Sequence, residues 1–218
     1  MRAPRELVDL PYASHLEAHA GGGLERDEDY DVVHFREREF DEPDAGNARF
    51  TESAFTAVKL SGGVLRRARF NDVWLHAVQF IGTDLVETRW LDAEVVNSAL
   101  AGTAVFGAEL NRVAFFGCKL VSVNLRDARL REVAFVDSVL RDVDFGGAEL
   151  TGVTFPGSTL EDTRFDGARL KKVDFRDAAA LGIATGHDCL GGATIGLAQA
   201  LDLAPAFARA LGVTVKDR

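Results

Sequence analysis

Large apolar residues recur at every fifth position over about two-thirds of this chain. At the thirty positions from 35 to 180 in steps of five, all but Ala45 and Ala180 are Phe, Leu, Val or Trp, and these positions hold twelve of the fifteen Phe. Two residues before each of these centres stands Ala, Cys, Gly, Ser, Thr or Val, except at Arg38 and Pro43. A five-residue spacing that is kept without interruption from residue 35 to residue 180 predicts a repeat architecture.

A period of five fits neither a helix nor a strand, because 3.6-residue and two-residue periods cannot keep all the large side chains on one side. A coil that turns a corner every five residues can, and four such sides close a square after twenty residues. The twenty-residue spacing is visible in Phe115, Phe135, Phe155 and Phe175, and Leu recurs in the same way at 110, 130, 150 and 170. The sequence therefore predicts an all-β solenoid with these side chains along its axis.

Four runs carry a resemblance to a known family: A-E-L-N-R from Ala108, A-R-L-R-E from Ala128, V-D-F-G-G from Val143 and A-R-L-K-K from Ala168. They are similar to the repeats of the pentapeptide-repeat family. That resemblance implies a right-handed quadrilateral parallel β-helix. The best-known members, the Qnr and MfpA group of quinolone-resistance proteins, are acidic rods that mimic DNA and occupy the DNA-binding groove of bacterial gyrase. The resemblance thus implies a non-enzymatic protein that modulates gyrase and gives drug or toxin tolerance.

The repeat frame divides the chain into three segments. Residues 1–32 hold eight acids against three Arg and are expected to form an acidic N-terminal extension. Residues 33–180 are expected to form the β-helix. Residues 181–218 are expected to form a short helical cap, or a segment that makes a homodimer, because a β-helix has open ends that must be covered.

Two short apolar helices are predicted at the C-terminal end, from Thr194 to Leu203 and from Pro205 to Leu211. Gly212 suits a helix C-terminal cap, and Val213 and Val215 could add a last strand. The apolar side chains expected to cap the final coil or join two protomers are Ile195, Leu197, Leu201, Leu203, Phe207 and Leu211.

Catalytic residues, metal ligands and cofactor-binding motifs are not predicted. An active site needs side chains that converge in a concavity, and the frame contains no inserted loop from which one could be built. The N-terminal residues lack the long apolar run of a signal peptide or a membrane span. We therefore expect a cytoplasmic protein that binds no membrane.

The surface charge predicts one acidic contact surface. The net charge is −9 and the isoelectric point is about 5.1, which argues against direct binding of nucleic acid. When the outward positions are sorted by side of the square, one side is basic and the other three hold more acids than bases. The candidate interaction residues, on one of the acidic sides, are Asp84, Glu87, Asp127 and Asp144.

An apolar column provides the alternative contact surface. Its candidate residues, expected to be exposed, are Trp74, Val96, Phe116 and Val136. Contiguous exposed apolar surface often marks a contact site, although these side chains could instead only stack on one another. The acidic side favours a gyrase modulator, whereas the apolar column favours a scaffold for another protein partner.

Overall fold

The computed structural model describes residues 3–216 and confirms a right-handed parallel β-helix of about nine turns with one C-terminal helix. Residues 1–2 and 217–218 of the predicted terminal segments lie outside that range. Each turn has four faces, numbered I to IV in chain order, and faces I to III carry hydrogen-bonded strands. Among the described residues, no helix has the length and apolarity needed to cross a membrane.

The strands fall into three parallel sheets and one short pair. Face I contains β2 (Asp29–Asp31), β5 (Arg49–Thr51), β8 (Arg69–Asn71), β11 (Arg89–Leu91), β14 (Glu109–Asn111), β17 (Arg129–Arg131), β20 (Glu149–Thr151) and β22 (Arg169–Lys171). Face II contains β1 (Glu17–Ala18), β3 (Val33–Arg36), β6 (Ala54–Thr56), β9 (Trp74–His76), β12 (Glu94–Val96), β15 (Ala114–Phe116) and β18 (Ala134–Val136), followed by the pair β23 (Val173–Asp174) and β25 (Ala193–Thr194). Face III contains β4 (Glu39–Asp41), β7 (Lys59–Ser61), β10 (Gln79–Ile81), β13 (Ala99–Ala101), β16 (Lys119–Val121), β19 (Val139–Arg141), β21 (Thr159–Arg164) and β24 (Ala180–Thr185).

Successive coils pair at an offset of twenty residues, as the sequence predicts. Leu110 lies opposite Leu130 on face I, and Phe115 lies opposite Phe135 on face II. Face IV has only single bridges, one of which joins Asp144 to Arg164. Each centre side chain therefore stacks on its equivalent one turn away.

The corners of the square are made by residues in the left-handed region. Every fifth residue from Asp27 to Lys172, two positions after each centre, has φ between +44° and +70°. Only some of these residues are Gly, and even the β-branched Val32 takes this conformation at φ +54°. A left-handed residue costs a side-chain-bearing position about 1 to 2 kcal/mol, so coil stacking must hold each corner in place.

The axis is filled by stacked rings and aliphatic side chains. On face II, Phe135 is fully buried between Phe115 and Phe155, with centroid distances of 4.9 Å and 5.3 Å. The small position two residues before each centre is buried beside them, and its hydroxyls are satisfied. Ser138 Oγ donates to the Val136 carbonyl at 2.9 Å and accepts from the Cys118 N–H at 3.0 Å. The interior is thus apolar, and its buried hydroxyls are hydrogen-bonded, as expected of a parallel sheet.

Parallel pairing begins before residue 33, where the sequence frame places the start of the β-helix. Strand β2 pairs with β5 in the regular register, and β1 pairs with β3 at an offset of only sixteen residues. The first coil buries Leu24 and Tyr30. Tyr30 keeps the five-residue frame, but the large residue before it stands at 24 rather than at 25, so the frame breaks within this coil. Residues 17–32 are therefore part of the solenoid rather than an extension.

The solenoid also continues beyond residue 180. One extra residue enters after Phe175, so that Leu160 pairs with Leu181 at an offset of twenty-one. The last coil closes where β25 pairs with β23. The α-helix begins only after this coil, which itself contains a short 3-10 helix at His187–Cys189.

A single helix, α1 (Leu197–Ala210), replaces the two predicted helices. It continues through Pro205, which was expected to start a second helix. The cap at Gly212 has φ +74°, and the Val213 N–H donates to the Ala208 carbonyl at 2.7 Å, which is a Schellman arrangement. The predicted last strand at Val213 and Val215 does not form.

Candidate functional site

The N-terminal strap, defined here as residues 5–16, covers the upper part of the predicted apolar column. Trp74 and Val96 are only 3% and 6% exposed, so the prediction that they form an exposed surface is wrong. The Trp74 indole N–H donates to the carbonyl of Arg5 at 3.1 Å. The strap therefore occupies the outside of face II over several coils.

One ion pair fixes the start of the strap. Arg5 Nε donates to Glu94 Oε2 at 2.5 Å, and the Arg5 backbone N–H donates to Glu94 Oε1 at 3.3 Å. The Glu94 side chain is only 9% exposed. A buried carboxylate needs such a partner, because its desolvation is otherwise uncompensated.

Apolar contacts hold the rest of the strap. Leu10 and Tyr12 are buried in a cluster with Ala54 and Trp74, separate from the axial core. Burial raises the pKa of the Tyr12 hydroxyl well above its usual value. The apolar residues at 7, 10, 12 and 16 within an acidic segment were a sequence signal for this contact, but no period connects them to face II.

The lower part of the apolar column remains accessible. Phe116 and Val136 are half-buried and lie opposite each other on adjacent strands of face II. These two are the members of the predicted column that the structure leaves open to a partner.

The predicted acidic residues divide into paired and unpaired groups. Asp84 Oδ2 accepts from Arg66 Nε at 2.6 Å, and an oxygen of Asp144 lies 3.5 Å from a nitrogen of Arg126. Glu87 and Asp127 are exposed, and no basic group among residues 3–216 lies within 4.0 Å of their carboxylates. Half of the predicted acidic site is therefore locally neutralised.

Other exposed ion pairs also join one coil to the next. Arg112 donates from Nε to Asp92 Oδ1 at 2.6 Å and from Nη2 to Asp92 Oδ2 at 2.5 Å. These hydrogen bonds hold the pKa of that carboxyl below its usual value. Hydrogen bonds from the Arg26 side chain and the Gly46 N–H likewise lower the pKa of the Asp44 carboxyl. Exposed pairs contribute little to stability, but they reduce the free negative charge along the rod.

Negative charge is concentrated at the N-terminal end of the rod instead. Residues 25–52 contain eleven acids and four Arg, a net charge of −7 out of −9 for the whole chain. Asp31, Glu39, Asp41 and Glu42 are exposed there, and no basic group in the described chain lies within 4.0 Å of them. These acids lie on several faces of the first coils. A count of charge along each face therefore does not reveal that they are concentrated at one end.

The C-terminal apolar residues point in two directions. Leu203 is buried and Ile195 and Phe207 are half-buried, with the Phe207 ring at 6.4 Å from that of His187. Leu197, Leu201 and Leu211 are 80%, 68% and 81% exposed. The helix rests on the last coil through one side only, and its other side faces solvent.

Comparison with known proteins places the chain among repeat proteins. The family model described as "Pentapeptide repeat region" matches residues 108–184, and "Pentapeptide repeats (8 copies)" matches residues 48–89. No curated protein matches the chain significantly.

Three solved structures illustrate the likeness in fold. QnrB1, a plasmid-mediated fluoroquinolone resistance protein, is 12% identical over 82% of this chain and 99% of its own, with a TM-score of 0.36. A pentapeptide repeat protein from the thylakoid lumen of Arabidopsis thaliana is 24% identical over 57% of this chain and 74% of its own, with a TM-score of 0.38. HetL from the cyanobacterium Nostoc, involved in heterocyst differentiation regulation, is 19% identical over 77% of this chain and 89% of its own, with a TM-score of 0.29.

These identities and scores are too low to transfer any function from the solved structures. The two repeat models rest on the sequence itself and together cover more than half of the chain. Its strands, its twenty-residue register and its five-residue frame agree with those models, and the chain belongs to the pentapeptide-repeat family.

Proposed function

We propose that this protein acts by binding rather than catalysis, and that its partner is a bacterial type II topoisomerase such as DNA gyrase. The observation that carries the proposal is the net charge of −7 in residues 25–52 at one end of a narrow rod. A protein surface that holds DNA is basic, because phosphate contacts dominate its affinity. An acidic rod end competes for such a surface by mimicking DNA, and the expected outcome is tolerance to a gyrase-directed drug or toxin.

Supercoiling by purified gyrase, with and without a quinolone, tests this proposal. The test variant is Asp31→Asn, Asp41→Asn, Glu42→Gln, which removes three unpaired acids from the N-terminal end. The matched control is Asp162→Asn, Asp177→Asn, Asp188→Asn, which makes the same change in charge at the other end.

The wild-type protein and the control should alter supercoiling or drug inhibition, whereas the test variant should do so much less. The effect should also weaken as salt rises, because exposed charges are screened. An unchanged gyrase activity over a range of added wild-type protein, in both conditions, would refute the proposal. Equal effects of the test variant and the control would refute the role of the N-terminal end.

A scaffold for another protein partner is the second candidate function. Phe116 and Val136 support it, because they remain accessible on face II below the strap. Phe116→Asp, Val136→Asp should lose such a partner in a pull-down and leave any effect on gyrase intact. Retention of every partner by this variant would exclude a scaffold that uses this surface.

A homodimer through α1 is also proposed. Leu197 and Leu201 lie one turn apart on the same side of the helix, are largely exposed, and meet no other part of the described chain that would cover them. Light scattering should give twice the chain mass of 23.6 kDa.

Leu197→Asp, Leu201→Asp should give the monomer mass. Val8→Asp is the control, because Val8 is 83% exposed on the strap and far from α1. A wild-type mass near 23.6 kDa at micromolar concentration would leave α1 as a cap only.

A further inference from the structure

One outward column of face I changes its charge pattern halfway along the rod. The column consists of the residues directly before each centre, and its members lie on adjacent strands in register. In chain order it reads Asp29, Arg49, Arg69, Arg89, Glu109, Arg129, Glu149 and Arg169.

The C-terminal half of the column alternates in sign and is fully paired. Arg129 lies 3.3 Å from Glu109 and 3.8 Å from Glu149, and Arg169 lies 2.8 Å from Glu149. Opposite charges on adjacent strands stabilise a sheet, whereas like charges destabilise it. This half follows the pattern expected of a surface with a purely structural role.

The N-terminal half breaks that pattern with three consecutive Arg. Arg49 pairs with Asp29 at 3.1 Å, and Arg89 pairs with Glu109 at 3.4 Å. Within residues 3–216, no carboxylate oxygen lies within 4.0 Å of the Arg69 guanidinium. Because the position faces outward, packing of the axis does not require Arg there. Packing of the axis therefore does not explain the three adjacent like charges.

An open cavity of about 450 Å³ lies over this break in the pattern. Arg49, Arg69 and Arg89 line it, and Arg67 adds a fourth guanidinium whose Nε donates to Asn47 Oδ1 at 3.1 Å. The volume is in the range of small-molecule sites, about 300 to 1,000 Å³.

Three acids share the cavity wall, and two of them are already engaged. Asp27 Oδ1 accepts from the Asn47 side-chain amide at 2.8 Å, and Glu109 pairs with Arg89 and Arg129. Glu87 is the third. Among the described residues, Arg69 and Arg67 are thus the guanidinium groups of the cavity with no carboxylate within 4.0 Å, and Arg69 lies at the centre of the row.

We propose that this cavity binds a small ligand that carries two or more linked phosphate groups. The guanidinium group binds phosphate oxygens in a bidentate manner. Adjacent strands are about 4.8 Å apart, so the three Arg form a row that an extended polyphosphate spans and a single phosphate does not. Asp29 and Glu109 bound the row at its two ends, which favours a short ligand over a long nucleic acid. This site is independent of the proposed action on gyrase.

Calorimetric titration with inorganic tripolyphosphate, pyrophosphate and orthophosphate tests the inference. Tripolyphosphate should bind most tightly and orthophosphate most weakly, with affinities that fall between about 50 mM and 200 mM salt. The test variant is Arg69→Gln. The matched control is Arg129→Gln, which lies in the same column but is paired on both sides.

Arg69→Gln should weaken tripolyphosphate binding by about tenfold or more, as loss of a charge-assisted contact predicts, and Arg129→Gln should not. The melting temperature of Arg69→Gln should not fall, because the substitution relieves like-charge repulsion. No heat of binding for tripolyphosphate at the lower salt, or equal weakening by the two variants, would overturn the inference. Tighter binding of a short DNA duplex than of tripolyphosphate would also overturn it.

Discussion

Substitution of Phe135 by Ala tests the stacked axis directly. Phe135 is fully buried, and its ring lies between those of Phe115 and Phe155 with interplanar angles of 9° and 8°. Removal of a buried Phe side chain costs about 3 to 5 kcal/mol through lost burial and the cavity that remains. Two aromatic pairs, each worth about 0.5 to 1.5 kcal/mol, are lost within that figure. We expect about 4 kcal/mol, because rings in adjacent coils cannot close the gap without breaking the register.

Urea unfolding followed by circular dichroism provides the measurement, with tryptophan fluorescence as a second probe. Coincident transitions would show that the rod unfolds as one unit. Val136→Ala is the matched control, since Val136 is half-buried on the outer surface and should cost roughly 1 kcal/mol or less. A loss below about 1 kcal/mol at Phe135, together with a larger loss at Val136, would refute the inward register.

Three further predictions concern the corners, the ion pairs and the strap. Gly147→Ala should destabilise the rod by about 1 to 2 kcal/mol plus the cost of moving Asp127, whose Oδ1 would lie in contact with the new Cβ. In thermal unfolding, Gly82→Ala should cost less, since nothing lies within 4 Å of its added Cβ. The pKa of Asp92 is lowered in the folded state, so its stabilisation is present above about pH 4 and is lost as the pH falls through the lowered pKa. Asp92→Asn should flatten that part of the pH–stability curve. Arg5→Ala should release the strap, seen as faster proteolysis near the N-terminus and a red shift of tryptophan fluorescence, and unchanged proteolysis would show that apolar contacts suffice.

The positions of residues that belong to the repeat can be predicted from the sequence, whereas the contacts of residues outside the repeat cannot. The inward positions of Phe115, Phe135 and Phe155 follow from the five-residue frame alone, because each coil meets the same environment as the coil before it. The contact of Arg5 with Glu94 joins positions eighty-nine residues apart and has no period. The strap was therefore invisible to pattern analysis, and Trp74 was placed on an exposed surface that the strap in fact covers.

Departures at the two ends have local causes. In the first coil Tyr30 keeps the frame, but the buried residue before it is Leu24, one position out of phase, so the frame breaks there. Near the C-terminus one inserted residue after Phe175 hides the last coil in the same way. The sequence predicts a helix start at Pro205, yet α1 passes through it and ends at Ala210, before the cap at Gly212. Leu203 and Phe207, on either side of Pro205, face the rest of the chain and hold both parts of the helix against it.

The edge strands of face I give the rod a chemical polarity along its axis. Strand β2 exposes Asp29 and Asp31 at one end, and β22 exposes Arg169 and Lys171 at the other. Two rods set head to tail would match acid to base and continue the parallel pairing. Such a contact does not close on itself and grows into a filament. The backbone of Gly192 lies against the carbonyl of Leu170, so the terminal coil obstructs the pairing of a second rod with β22.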